Sequence, residues 1–116
     1  MRRVVLVLIV APLWACGSSS PVSVTAPASP TSLDCALTEA TGLGYSVESA
    51  EAGLFFRARK PNGFQFDVLN ASVSQGVLTV TALTDVRSPD GAYAQGPGRQ
   101  TARDAEAVVR SCTAAS

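Results

Sequence analysis

The segment from Tyr45 to Asp85 constrains the fold more than any other part of this chain of 116 residues. Polar and apolar residues alternate there with a period of two, and a turn signal ending in glycine recurs about every ten residues. The signals are Glu51-Ala52-Gly53, Pro61-Asn62-Gly63 and Ser74-Gln75-Gly76. They separate four predicted strands, at about 45–50, 54–60, 64–73 and 77–85. Short turns between consecutive strands predict an antiparallel meander.

Helical periodicity precedes and follows this segment. Leu33, Ala36 and Leu37 predict a helix at about 32–41, and an apolar stripe predicts a second helix at about 101–112 with Thr101 and Asp104 as a capping box. The expected fold class is therefore α+β. A four-stranded antiparallel meander is flanked in sequence by an N-terminal and a C-terminal helix, both packed on one face of the sheet.

Turn lengths predict which strand residues face each other. A three-residue Pro61-Asn62-Gly63 loop places Ala58 opposite Phe66 and Arg57 opposite Asp67. A two-residue Ala52-Gly53 turn places Val47 opposite Ala58 and Glu48 opposite Arg57. One face is then an apolar core face. The other is a candidate binding face that carries Glu48, Phe55, Arg57, Arg59 and Asp67.

The composition restricts catalytic chemistry. The chain has no histidine, which excludes Ser/His/Asp and Cys/His catalytic sets and removes the commonest metal ligand. Glu48 and Asp67 are the best carboxylate pair, although a solvated face on which Arg57 lies between the two acids is the favoured interpretation. Arg57, Arg59 and Lys60 form a small basic cluster, and Arg57 and Arg59 share a face with Phe55 that suits an anionic or stacking ligand. Such a cluster is more often a solvated surface than a binding site. We expect no enzymatic activity, cofactor or metal.

The N-terminus has the layout of a secretory leader. Met1-Arg2-Arg3 is basic, and the apolar run that follows is interrupted only by Pro12. This run is about ten residues long, whereas a helix that crosses a bilayer needs about 20. A cleaved signal peptide is therefore favoured over a transmembrane helix.

Leu13-Trp14-Ala15-Cys16 resembles the lipobox of bacterial lipoproteins, which has Leu three residues before the cysteine and a small residue just before it. Trp14 is larger than is usual at its position. The resemblance covers the leader alone, and it implies cleavage before Cys16 and a diacylglyceryl thioether (palmitate-type acyl chains) on its sulfur. Gly17 takes the place of the Asp that often retains lipoproteins in an inner membrane. The expected location is the cell envelope, at the outer membrane facing the periplasm if the host has two membranes.

The resemblance divides the chain into a leader at 1–15, a lipidated cysteine with a Ser/Pro-rich tether at 16–32, and a single domain at 33–116. The tether, with no period that could bury a face, is expected to hold the domain clear of the lipid surface.

With Cys16 lipidated, Cys35 and Cys112 remain in an oxidising compartment. They are expected to form a disulfide between the two helices, and two free buried thiols are the alternative. Loss of Arg2 and Arg3 leaves seven basic against nine acidic side chains, so nucleic acid is not an expected partner.

The expected function is that of a membrane-anchored envelope lipoprotein with a small noncatalytic binding or structural domain. Its expected partners are the bilayer, through the acylated N-terminus, and an envelope protein or glycan. One alternative is an inhibitor-like module that uses the predicted loop from Val86 to Gly98 against an envelope enzyme. Another is a small hydrolase that uses Glu48 and Asp67.

Overall fold

The computed structural model describes residues 20–88 and 91–113. Six strands and two helices follow in the order β1 (Val22–Pro27), α1 (Ser32–Gly42), β2 (Ser46–Glu51), β3 (Phe55–Asn62), β4 (Gln65–Ser74), β5 (Val77–Ser88), β6 (Gly91–Gln95) and α2 (Arg99–Cys112). The chain is α+β, as expected. The lipobox residues and the rest of the leader lie outside the described residues.

All six strands form one antiparallel sheet. Its order is β1-β5-β4-β3-β2, and β6 also pairs with β5. Because β4 occupies one side of β5, β1 and β6 lie end to end along the other side, β1 against residues 77–82 and β6 against residues 84–88. The meander of β2 to β5 is confirmed, with boundaries within a few residues of those predicted.

Two predictions about the edges of the sheet are wrong. Residues 16–32 are not all tether, because Val22–Pro27 pairs with β5 and packs Val24 and Ala26 partly against the core. The segment from Val86 to Gly98 is not one loop, because β5 continues to Ser88 and Gly91–Gln95 returns as a hairpin strand. The sheet therefore has six strands rather than four.

Both helices pack on the same face of the sheet. Small residues on the helices let them approach closely, and the buried cluster between the layers is fully apolar in its centre. It joins helix residues Leu33, Ala36, Ala40, Ala105, Val108 and Val109 to sheet residues Phe56, Ala58, Leu69, Ala71, Leu78, Val80 and Ala82. We call this the covered face.

A disulfide joins the first turn of α1 to the end of α2. Cys35 and Cys112 have their Cα atoms 5.6 Å apart, which confirms the predicted pairing. Beside the bridge, the buried Ser32 Oγ donates a hydrogen bond of 2.8 Å to the carbonyl of Cys112. The expected capping box at Thr101 is wrong, because α2 begins earlier, with Gly98 at its N-cap.

The register between β3 and β4 differs from the predicted one. Asn62 faces Gln65 across a two-residue turn of Gly63 and Phe64, so Ala58 faces Leu69 rather than Phe66. Gly63 has a φ of 67°, which suits a hairpin turn with glycine at its first central position. The shift is three residues, and an odd shift moves every β4 side chain to the other face relative to β3.

Candidate functional site

The face of the sheet away from the helices, here called the open face, contains most of the residues singled out from the sequence. Alternation along the strands places on it side chains that are mainly polar or charged. They are Phe55, Arg57 and Arg59 from β3, Phe66, Val68, Asn70 and Ser72 from β4, and Thr79, Thr81, Leu83 and Asp85 from β5.

Arg57 is the centre of an ion-pair network on the open face. Its Nε lies 2.9 Å from Glu48 Oε1, and its Nη2 lies 3.6 Å from Asp85 Oδ2. Glu48 is the extra residue of an irregularity in β2, since Val47 faces Ala58 as predicted but Ser49 rather than Glu48 faces Arg57. The predicted contact between Glu48 and Arg57 is therefore present although the register is not the predicted one.

The Arg57 side chain must cross β4, because Arg57 is in β3 and Asp85 is in β5. Val68 lies on β4 between those two positions and is 0% exposed, although it is not part of the cluster under the helices. The aliphatic stem of an arginine covers apolar surface well while its guanidinium stays hydrated. Arg59 and Leu83 face Val68 directly on the neighbouring strands, and the Arg57 side chain crosses β4 beside it. Side chains rather than a helix therefore shield Val68 from water on this face.

Arg59 extends the same layer towards one end of the sheet. Its guanidinium carbon lies 4.3 Å from the centre of the Phe66 ring, within the range of a cation–π interaction. Its Nη1 also lies 3.8 Å from Glu48 Oε2. Both arginines are therefore paired within the chain, and an anionic ligand at this face has to compete with Glu48 and Asp85.

Of the predicted binding-face residues, Asp67 lies on the other face, and Phe55 lies on the open face but apart from the Arg57 network. Asp67 is on the covered face, 8% exposed, where Asn62 Nδ2 lies 3.3 Å from its Oδ2. Phe55 is on the open face, but it faces Ser72, towards the end of the sheet away from Phe66. Because Glu48 and Asp67 lie on opposite faces, the hydrolase hypothesis loses the shared face on which it rested.

Sequence reasoning missed two members of the network, Asp85 and Phe66. The wrong β3–β4 register placed Phe66 in the core. Predicting a two-residue turn at Gly63-Phe64 would have given the correct register and placed Phe66 on the open face. Asp85 was read as a strand end, whereas β5 continues past it to Ser88.

A second polar cluster, the Asp104 cluster, lies on the covered face beside α2. Tyr45 Oη donates to Asp104 Oδ2 at 2.8 Å, and Gln100 Nε2 donates to Asp104 Oδ1 at 2.9 Å. Lys60 Nζ lies 3.7 Å from Asp104 Oδ2 and donates to the Leu43 carbonyl at 3.2 Å. Lys60 therefore faces away from Arg57 and Arg59, and the three do not form one basic cluster.

The partners of Asp104 explain its burial. Burial raises the pKa of Tyr45 well above its ordinary value of about 10, and the adjacent Asp104 carboxylate raises it further. Tyr45 therefore stays protonated and remains a hydrogen-bond donor. A buried carboxylate is stable only when such partners surround it, and this one joins α2 to the segment after α1 and to β3.

Within residues 20–88 and 91–113, no group of three or more His, Cys, Asp or Glu side chains is arranged to hold a metal ion. No helix of that part of the chain has the length and apolarity needed to cross a membrane.

Comparison of the chain with protein-family models, curated proteins and solved structures gives no match.

Proposed function

We propose that this chain is a lipid-anchored lipoprotein of the cell envelope whose disulfide-linked domain acts as a noncatalytic binding module. The anchor would be Cys16, processed at Leu13-Trp14-Ala15-Cys16. If the host has two membranes, Gly17 favours the outer one.

The cysteine pairing carries this proposal. The chain has three cysteines, and Cys35 and Cys112 are bonded to each other. Cys16 is then the one left over, at the position that the lipobox pattern gives to the acylated residue. A structural disulfide is typical of proteins that work outside the cytoplasm, which supports export.

The open face supports binding rather than catalysis. The antiparallel surface carries Asn, Ser and Thr side chains beside the Glu48-Arg57-Asp85 network. Such groups form many directional hydrogen bonds with a protein or glycan surface. The inhibitor alternative used a long exposed loop, and it is weakened because Val86–Gly98 contains β6.

Mass spectrometry of the protein purified from its host's membranes tests the anchor. We expect an N-terminus at Cys16 that carries a diacylglyceryl thioether, and Cys16→Ser should abolish the acyl mass and release the chain from membranes. The matched control replaces the other two cysteines, Cys35→Ser with Cys112→Ser, and should leave Cys16 acylated. A mature chain that starts elsewhere, or an unmodified Cys16 thiol, would refute the proposal.

Site-specific photocrosslinking in the intact envelope tests the binding face. A photoreactive residue at Ser72, on the open face, should give a reproducible crosslinked species. The matched control is Glu106, exposed on α2 on the other side of the domain. Equal crosslinking from both positions, or none from Ser72, would contradict binding through the open face.

A further inference from the structure

The turn between β3 and β4 exposes an aromatic side chain for which the fold has no use. Phe64 is 93% exposed, more than any other large apolar residue of the described chain. The turn residues Pro61, Asn62, Gly63, Phe64 and Gln65 include no charged side chain. Transfer of these five residues from water into a less polar medium would therefore dehydrate no charged side chain among them.

The chain enters the sheet heading away from this tip. Val22, the first residue of β1, faces Ala82, and β1 then runs to Pro27 opposite Val77. Extended backwards from Val22, the strand direction points to the end of the sheet where Gln65 faces Val86. Since β6 occupies that edge of β5 from Thr84 to Ser88, the preceding residues would have to pass beside β6. A segment that continued in this direction would leave the domain towards the end that carries Phe64.

Distances along the sheet agree with this geometry. From the Ala82 position to Phe64, one residue beyond the Val86 position, is about 17 Å along the strands at about 3.4 Å per residue. Only residues 17–21 separate Cys16 from β1, and six extended residue steps span at most about 20 Å. The tether is thus much shorter than the predicted one, and a membrane that holds Cys16 lies within reach of Phe64.

We propose that Phe64 is a second membrane contact, inserted into the lipid interface so that the domain stands end-on with its β3–β4 turn against the bilayer. This inference rests on the proposed anchor. A single aromatic side chain binds membranes weakly by itself, but a domain tethered by a few residues meets the surface at an effective concentration in the millimolar range. A weak contact is then sufficient to set the orientation.

The other exposed apolar residues do not offer the same contact. Leu54, 51% exposed, is in the β2–β3 turn, and Val77 begins β5. Both lie at the opposite end of the sheet, where β1 ends. Charged residues do not separate the two ends, because Glu51 is near the Leu54 turn and Arg87 follows Val86 at the Phe64 end. The direction of β1 separates them.

A single tryptophan reports on the contact directly. The sole tryptophan of the chain, Trp14, lies in the predicted leader, so Phe64→Trp gives a one-tryptophan protein once the leader is absent. The matched control is Leu54→Trp at the other end. The chain from Cys16 onward retains every described element, and its one unpaired thiol can be coupled to a maleimide phospholipid in phosphatidylcholine vesicles with or without brominated acyl chains.

We expect brominated lipid to quench Phe64→Trp about twofold or more, with emission moved to shorter wavelength, and to leave Leu54→Trp unchanged. Absence of quenching at both positions in the coupled protein would overturn the membrane contact. Equal quenching at both would overturn the end-on orientation. Because the coupling is chemical, none of these outcomes depends on acylation in the host, whereas an unacylated Cys16 in the host would refute the anchor alone.

Discussion

The two faces of the sheet keep their central residues from water by different means. Leu69 and Val68 are neighbours in β4 that point to opposite faces, and both are 0% exposed. Leu69 belongs to the cluster under α1 and α2, whereas Val68 lies among side chains of the open face, with Arg59 and Leu83 directly opposite it and Arg57 crossing β4 beside it. A two-layer domain of this size can therefore exclude water from its second face with long side chains and ion pairs alone.

The largest effect on stability should come from removing the disulfide that helps to hold the two helices on the covered face. Cys35→Ser with Cys112→Ser removes a bridge between residues 77 apart in sequence, and its loss should lower the free energy of unfolding by about 2–5 kcal/mol. Urea unfolding under oxidising conditions measures this. The reduced wild-type chain is the control and should match the double variant. Unchanged stability would mean that packing alone holds the helices on the sheet.

The same substitution on each face compares the two kinds of cover. Val80→Ala, at 1% exposure under the helices, should cost about 2–3 kcal/mol, because helices and sheet cannot collapse into the cavity. Val68→Ala should cost about 1 kcal/mol, since the Arg57 side chain can settle into the space. Urea midpoints of both variants decide the comparison. Equal losses would show that Arg57 is held as rigidly as a helix.

Polar groups on the covered face should behave differently from those on the open face. Tyr45→Phe removes the donor to Asp104 Oδ2 and should lower stability at pH 7 by about 1.5 kcal/mol. Because the folded-state pKa of Tyr45 is raised, its contribution is fully present below about pH 10, the pKa of an unfolded tyrosine, and is lost as the pH rises further.

Urea unfolding of the wild type and Tyr45→Phe between pH 7 and pH 11 measures this contribution. The two stabilities should converge above about pH 10. Parallel curves over the whole range would contradict the role given to the Tyr45 hydroxyl.

The smallest effects should come from Arg57, where the covering stem can be separated from the charge. Arg57→Met keeps an apolar chain over Val68 and should cost less than about 0.5 kcal/mol, as exposed ion pairs contribute little. Arg57→Ala removes the stem as well and should cost about 1 kcal/mol. Equal losses from Met and Ala would show that the ion pairs, rather than the stem, matter. Repeating both measurements at high salt then isolates the ion pairs.

Local patterns predicted the parts of the fold that are held by neighbours in sequence. The meander from β2 to β5, both helices and the Cys35–Cys112 disulfide follow from periodicity, glycine turns and cysteine counting. The β1 strand was missed because the Ser/Pro/Ala composition around it is typical of a linker and its partner, β5, is distant in sequence. The alternation of Val22, Val24 and Ala26 with polar residues was the available signal. The β6 strand could have been predicted, because Pro89-Asp90-Gly91 between apolar residues is typical of a hairpin turn.

The candidate site depended on a finer quantity, the register. Taking Pro61-Asn62-Gly63 as a three-residue loop moved Asp67 to the open face and Phe66 into the core. Loop lengths of two and three residues differ little in sequence but put a strand's side chains on opposite faces. The turn between β2 and β3 was also predicted one residue too short, since three residues separate Glu51 from Phe55. The contact between Glu48 and Arg57 is present because the irregularity at Glu48 offsets this difference.

The pairing of β1 with β5 also sets an order of events for the growing chain. Val22 is made early, but its partner Ala82 follows only after β2, β3 and β4 have been synthesised. Contacts between residues so far apart form slowly, since a long segment must first be ordered. Until β5 is complete, β1 stays without its partner strand, and a chain interrupted before residue 77 has no β5 for β1 to pair with. The first strand of the sequence is then among the last to join the sheet.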